Sequence, residues 1–392
     1  MRVHTKVITN YTLVFCLLLL SGNPLFSTGS ALGIVSLVLF VGILSVKYAR
    51  FFFDIWSWPY LTYTSLFATI FVAQFIALGY VSSMSVASVF LKITAGYLVY
   101  RKVGTYFPAY YASVMFFLAT VSLVFFSLDM AGAIPAGIQV SETRQSLGLY
   151  TITPNNFRNS GMFWEPGAFA IYLVLAFLLL VGNLSFFAKR LVVTAVLITA
   201  IISTYSTTGY ITFFVFIIAI LFRRTSIKAF LSTLPFVALV MVGASIAFEK
   251  LDFLGAKIES QSLGAQEQSG EFGNSRFQSL IFDSHYILKH PLIGNGLHQK
   301  TRYADHPWLH DEQLGHGNGF SNFLASFGVP MFVVMAYLIV RYARKNGMTT
   351  LAIIVLMLQG EQLMNYPLFI ALPLWFVYDY KYRRSNSQLQ PA

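Results

Sequence analysis

Uncharged apolar runs, each about as long as a bilayer is thick, recur along almost the whole chain. From Ala31 to Val46 the sequence reads ALGIVSLVLFVGILSV, and Lys47 follows at once. A helix crossing the hydrocarbon of a membrane needs roughly 20 mostly apolar residues, because no water is there to satisfy its peptide groups. Soluble domains usually carry about 25% charged residues, against 10% here, with 56% hydrophobic. The expected fold class is therefore all-α: a polytopic integral membrane protein with about 12 transmembrane helices. The runs lie near 9–26, 31–46, 61–82, 86–100, 108–128, 166–182, 191–205, 209–222, 229–248, 319–340, 349–363 and 366–380.

The net charge of +11 does not point to nucleic acid, because it is scattered in pairs and triplets between the apolar runs. Such clusters mark loops retained in the cytoplasm. With Arg2 and Lys6 on that side, every second loop is basic: Lys47 and Arg50, Arg101 and Lys102, Lys189 and Arg190, then Arg223, Arg224 and Lys228. Arg341, Arg344 and Lys345 follow, and Lys381, Arg383 and Arg384 end the series, opposed only by Asp54 and Asp379. Both termini are expected in the cytoplasm. The N-terminal run has no small-residue cleavage pattern after it and reads as an uncleaved first span. Cys16, the one cysteine, leaves no disulfide within the chain.

Two segments on the opposite, outer side are too long and polar to be turns: 129–165 and 249–318. They divide the chain into a helical bundle over 1–248, a large late extracytoplasmic loop over 249–318, and C-terminal spans with a basic tail over 319–392. Inside the loop, 255–273 is rich in Gln, Ser, Gly and Glu, a composition that cannot bury a core. The stretch NSRFQSLIFDSHYILKHPLIGNGL then changes character. Asn274 or Ser275 can cap a helix, Arg276 occupies its first turn, and Phe277, Leu280, Ile281 and Leu288 recur at helical spacing. Pro291 stops it. An amphipathic helix at the outer membrane surface is expected.

The polar residues narrow the chemistry. No phosphate-binding glycine loop, H-E-x-x-H, G-x-S-x-G or D-x-D pair occurs. HPWLHDEQLGH (306–316) could offer zinc ligands, but Pro307 disfavours the helical pairing of its first two histidines, so no metal site is assigned. Arg144, Arg158 and Arg276 suit a phosphate or pyrophosphate, which a guanidinium grips as a planar fork while staying charged. Glu165 sits in WEPG, where an apolar run begins, and an ionisable group at a lipid border is costly enough to point to function. His316 and Asn318 stand at the mouth of the next run. A transporter would set polar residues at mid-membrane on broken helices, yet the one charged residue well inside a predicted span is Lys92.

Four stretches together resemble the O-antigen polymerase and ligase superfamily. RNSGMFWEPGAFAIYL (158–173) is similar to its arginine, glycine and Phe-x-Glu-Pro segment. STYSTTGYITFF (203–214) resembles its Ser-rich span end. SRFQSLIFDSHYILKHPLIGNGL (275–297) resembles its Arg…His-Pro-Leu-x-Gly-x-Gly segment, and HGNGFSNFLASFGVP (316–330) its His/Asn segment opening a span. The resemblance implies metal-free and nucleotide-free inverting glycosyl transfer from undecaprenyl pyrophosphate on the periplasmic face, with no cofactor. It implies that Arg158 and Arg276, with Arg144, His290 and Asn318 near them, bind the pyrophosphate-linked substrate. His316 becomes the base or the group positioning the acceptor, with Glu165 next in line and His310 or His290 as substitutes. The family's ligases commonly carry an arginine after the serine of the second stretch, where this chain has STTG (206–209). That favours a polymerase joining lipid-linked oligosaccharide donor to lipid-linked acceptor. A chain-length regulator and a flippase are the expected pathway partners.

Overall fold

The apolar runs fold as helices wherever the computed structural model describes them, over residues 2–26, 31–54, 57–141, 144–153, 157–180, 190–223, 276–309, 317–343 and 347–388. The expected span near 229–248, the polar stretch 255–273, His310 and His316 lie outside those residues. The principal helices are Arg2–Gly22 (α1), Ala31–Lys47 (α2), Trp58–Leu78 (α3), Ser83–Val103 (α4) and Phe107–Met130 (α5). Next come Pro166–Leu179 (α6), Leu191–Ser203 (α7), Thr207–Arg223 (α8) and Arg276–Lys289 (α9). Gly319–Phe327 (α10), Val329–Tyr342 (α11), Gly347–Gly360 (α12) and Leu372–Gln388 (α13) complete the series.

The expected count of spans is not reached by helices of full length. Among the described residues, Thr5–Gly22, Trp58–Leu78 and Ser83–Met130 are long and apolar enough to cross a membrane. The α10–α11 pair makes a fourth if its 119° bend is one broken span. Five more apolar helices, α6 and α12 among them, are shorter; at 1.5 Å per residue, 14 residues reach only about 21 Å across hydrocarbon about 30 Å thick. Hydropathy counts apolar residues and misses where helices stop. Gly328 breaks the run 319–340, and α12 ends at Gly360 inside its run.

The all-α expectation needs one amendment. Between α5 and α6, Ile138–Ser141 (β1), Arg144–Ser146 (β2) and Thr151–Ile152 (β3) form a three-stranded antiparallel sheet in the order β1-β2-β3. Strands this short carry too few alternations to show in the sequence.

The core is built around α6, every residue of which is buried. A helix apolar on all sides must be enclosed by other helices or by lipid, and α5, α7, α8 and α12 surround this one. Buried tyrosines tie the layers together: Tyr111 donates to the Tyr172 carbonyl at 2.9 Å, and Tyr63 donates to the Ile370 carbonyl at 2.9 Å.

The helix expected after Ser275 forms as α9, and its predicted apolar residues Phe277, Leu280, Ile281 and Leu288 are exposed. Its other side, with Ser279, Phe282, Asp283 and Tyr286, is buried against α10. The buried Asp283 pairs with the buried Arg302 and accepts from the Ser321 hydroxyl. A buried carboxylate needs such partners, which fixes the side that turns inward and leaves the apolar side facing outward, with Phe277 and Leu280 in the wall of a cavity.

The segment after α9 is a clamp for the α10–α11 break. Asn295 donates its side-chain amide to the Tyr286 carbonyl (2.8 Å) and the Ala325 carbonyl (3.0 Å), and Gln74 donates to the Ile293 (2.6 Å) and Ser326 (2.8 Å) carbonyls. Gly294 has φ of +71° and packs so closely on the Ser326 carbonyl that a Cβ would collide with it. Gly294→Ala therefore destabilises by more than about 1 kcal/mol, read as a lower thermal unfolding temperature and less protein in membranes.

Candidate functional site

Four segments converge where α6 begins. Pro166 takes the first helical position, for which its fixed φ is suited. Glu165 before it is extended (φ −147°, ψ 153°), and its side chain makes no capping bond. The carboxylate is instead engaged by Arg144 of β2, whose Nη2 lies 2.9 Å from Oε1. The small sheet thus has a purpose, since it delivers Arg144 to the end of the helix.

Arg158 is placed by its neighbour. Asn159 is fully buried and donates to the hydroxyls of Ser122 (3.1 Å) and Ser203 (3.0 Å), while its oxygen accepts from the Gly161 amide (2.9 Å). This anchors the loop beside the end of α7, where Arg158 Nε donates to the Thr204 carbonyl at 3.2 Å. Tyr205, next in the chain, holds φ of 46°, which few non-glycine residues adopt. Arg276, first residue of α9, points Nη2 at the Gly360 carbonyl, 3.4 Å away, at the end of α12. Both guanidiniums therefore sit at helix C-termini, where unpaired carbonyls and the helix dipole attract cations.

The residue after Gly360 is Glu361, which is buried. Trp164 Nε1 donates to its Oε2 at 3.1 Å, and the Trp164 ring stacks on Tyr366 with centroids 4.5 Å apart. Gly167, in the first turn of α6, leaves room for this carboxylate: a Cβ there would stand 2.6 Å from Glu361 Oε1. Burial first, and the adjacent Glu165 carboxylate second, push Glu361 above the ordinary carboxylate range, while Arg276 acts in the opposite direction. Ionising a buried carboxyl next to another carboxylate puts like charges together, which is why its neutral form is favoured. Burial also lowers Arg158 and Arg276, and Arg276 lowers Arg158 further by repulsion. Guanidiniums nonetheless stay protonated. Three guanidiniums thus face two carboxyls, of which Glu361 is held toward its neutral form by burial, and this leaves an excess of positive charge for an anion to meet.

A cavity of about 330 Å³ opens beside Arg276, between α8, α9 and α12, with Thr208, Ile211, Thr212, Asn318 and Leu356 in its walls. The hydroxyls of Thr207, Thr208 and Thr212 find no hydrogen-bond partner among the described residues. The cavity surface is largely apolar, and Arg276 is the one charged residue in its walls.

Of the residues singled out in the sequence, Arg144, Glu165, Arg158 and Arg276 are brought together. Asn318 lines the cavity, and its Oδ1 accepts from the Phe320 and Ser321 amides at 3.1 Å each, capping α10. His290 lies beyond the far end of α9, about 20 Å from Arg276 along the helix. His316 is outside the described residues, but the amide of Gly317 donates to Ser279 Oγ at 3.0 Å, one turn along α9 from Arg276. Sequence reasoning missed Glu361. A signal was present, since Glu361 is the only acidic residue between Glu312 and Asp379, and it closes an apolar run as Glu165 opens one.

Residues 192–336 match the O-antigen ligase family. That segment is similar to O-antigen ligases. This supports the O-antigen polymerase and ligase superfamily to which the four stretches pointed, and with the apolar helices it marks a membrane protein. Comparison with curated proteins gives no match. The matched segment holds Arg276, His316 and Asn318 but not Arg144, Arg158, Glu165 or Glu361, so the fold completes the site from outside it.

Proposed function

We propose that the chain is a polysaccharide polymerase of a bacterial inner membrane, with both termini cytoplasmic and the arginine site on the periplasmic face. It joins undecaprenyl-pyrophosphate-linked oligosaccharides into O-antigen, capsule or exopolysaccharide. The carrying observation is Arg158 and Arg276 close to the Glu165 and Glu361 carboxyls, with Arg276 in the wall of a largely apolar cavity. An isoprenoid pyrophosphate has the matching form, an anionic head on an apolar tail.

In the reaction, the acceptor hydroxyl attacks the anomeric carbon from the face opposite the pyrophosphate. The anomeric C–O bond breaks, its electron pair leaves with undecaprenyl pyrophosphate, and the configuration inverts. Arg158 and Arg276 stabilise the charge that develops on the leaving group. Pyrophosphate leaves readily and needs no general acid. The acceptor proton goes to Glu165, which is half-exposed and oriented by Arg144, with the buried Glu361 beside it to share the proton. His316, next to the Gly317 amide anchored on α9, positions the acceptor. A chain-length regulator and a flippase act in the same pathway.

A ligase is the second reading, favoured by the description of the matched family. Deleting the gene separates the two. Loss of a polymerase leaves single units on lipid, which is the expected result, whereas loss of a ligase accumulates long lipid-linked polymer.

A further inference from the structure

Joining two lipid-anchored glycans requires two lipid anions at one centre, and the cavity beside Arg276 accommodates one. A second cavity of about 330 Å³ lies across the 361–366 turn, between α2 and α4, with Leu37, Val38, Met84, Ser88, Lys92 and Ile370 among its walls. Its lining is mostly apolar, with Ser85, Ser88 and Asn365 as polar members and Lys92 as the one charged residue; Lys92 is 8% exposed and makes no hydrogen bond or ion pair among the described residues. Lys92 is also the one charged residue well inside a predicted span rather than at its end, and nothing in the mechanism above uses it. An amine kept in such surroundings is costly without an anion to meet it. Helix side chains lean toward the N-terminus, so the amine is directed toward the Ser83 end of α4.

A smaller void lined by Gln362, Asn365 and Gly319 adjoins this cavity, sharing Leu297, Phe327, Met364 and Asn365 with it. Gly319 packs directly on the Glu361 carbonyl. The void next to the second cavity thus comes within one residue of Glu361, since Gln362 lines it and Gly319 packs on the Glu361 backbone carbonyl.

We propose that the Lys92 cavity holds the second lipid-linked glycan pyrophosphate, the acceptor, with its isoprenoid against α2 and α4 and its anionic head drawn to Lys92. The identity of this ligand rests on the polymerase reading above; the cavity and its cation do not.

The test uses the full chain in nanodiscs of uncharged lipid, with radiolabelled undecaprenyl phosphate as probe. The wild-type protein binds it in two classes of site. Lys92→Met keeps the class that Arg276→Ala loses and weakens the other about 10- to 100-fold, the loss of one charge-assisted contact. Methionine has nearly the same length and lowers the cost of burial, so the variant folds. Ala87→Trp, which fills the cavity without touching the amine, removes the same class. A single class in wild type, unchanged binding in Lys92→Met, or displacement of the label from the Lys92 site by equal phosphatidylglycerol would each overturn the proposal. Long lipid-linked polymer accumulating in the gene deletion, together with loss of a class in Lys92→Met, would refute the polymerase reading and leave the Lys92 lipid site standing.

Discussion

Replacing Arg276 by alanine abolishes polymer while the protein remains in the membrane at its normal level. The side chain stands at the first turn of α9, lines the apolar cavity, and lies close enough to Arg158 for the two cations to repel. That repulsion is relieved only when an anion sits between them, so their contribution grows as charge moves onto the leaving pyrophosphate. Removing one such preorganised donor costs on the order of 10²- to 10³-fold in rate. Arg276→Lys restores the charge but not the planar two-bond fork, and recovers a minor part of the rate. The measurement is the initial rate of ladder formation by purified protein, with the protein level read in parallel. A ladder at wild-type rate in Arg276→Ala would remove this residue from the site.

Glu361→Gln gives the second large effect, and it separates activity from stability. Glutamine keeps the shape and can still accept the Trp164 N–H bond, so packing survives. It cannot share a proton with Glu165, and loss of general-base assistance costs about 10²- to 10⁴-fold. Glu361 is raised in the fold by burial and by Glu165, so its stabilising protonated form is complete below the unfolded carboxylate value. That stability is lost as pH rises through the raised value. The wild-type protein thus becomes less thermostable on the alkaline side, whereas Glu361→Gln does not, and it is the inactive variant that is the more stable one there. Wild-type rate rises with pH through that same range, and His316→Ala leaves the position of this limb unchanged. An active Glu361→Gln variant with the wild-type pH profile would show that the carboxyl pair is not the proton acceptor.

Much of this architecture was legible in the residues, and the parts that were not have identifiable causes. The apolar runs announced helices, and the spacing of Phe277, Leu280 and Ile281 between Ser275 and Pro291 announced α9. The three arginines and Glu165 were recognisable because charge is so rare in this chain that each instance is informative. Helix ends were harder, since Gly328 and Gly360 stop helices inside runs that remain apolar. The sheet was hidden because two to four residues per strand carry no period. Glu361 went unrecognised because its role is made by tertiary contact: Trp164, Gly167 and Glu165 reach it across roughly 200 residues of chain. The HPLIGNGL motif had suggested a ligand for His290, and its asparagine and glycines instead brace the α10–α11 break.

The most direct test supplies the purified protein with a single substrate, the undecaprenyl-pyrophosphate-linked repeat unit, in metal-free and nucleotide-free liposomes. The account predicts a ladder of lipid-linked oligomers from that unit alone, with one undecaprenyl pyrophosphate released per bond formed. No ladder from the unit alone, together with transfer of preformed glycan to an added lipid core, would contradict it.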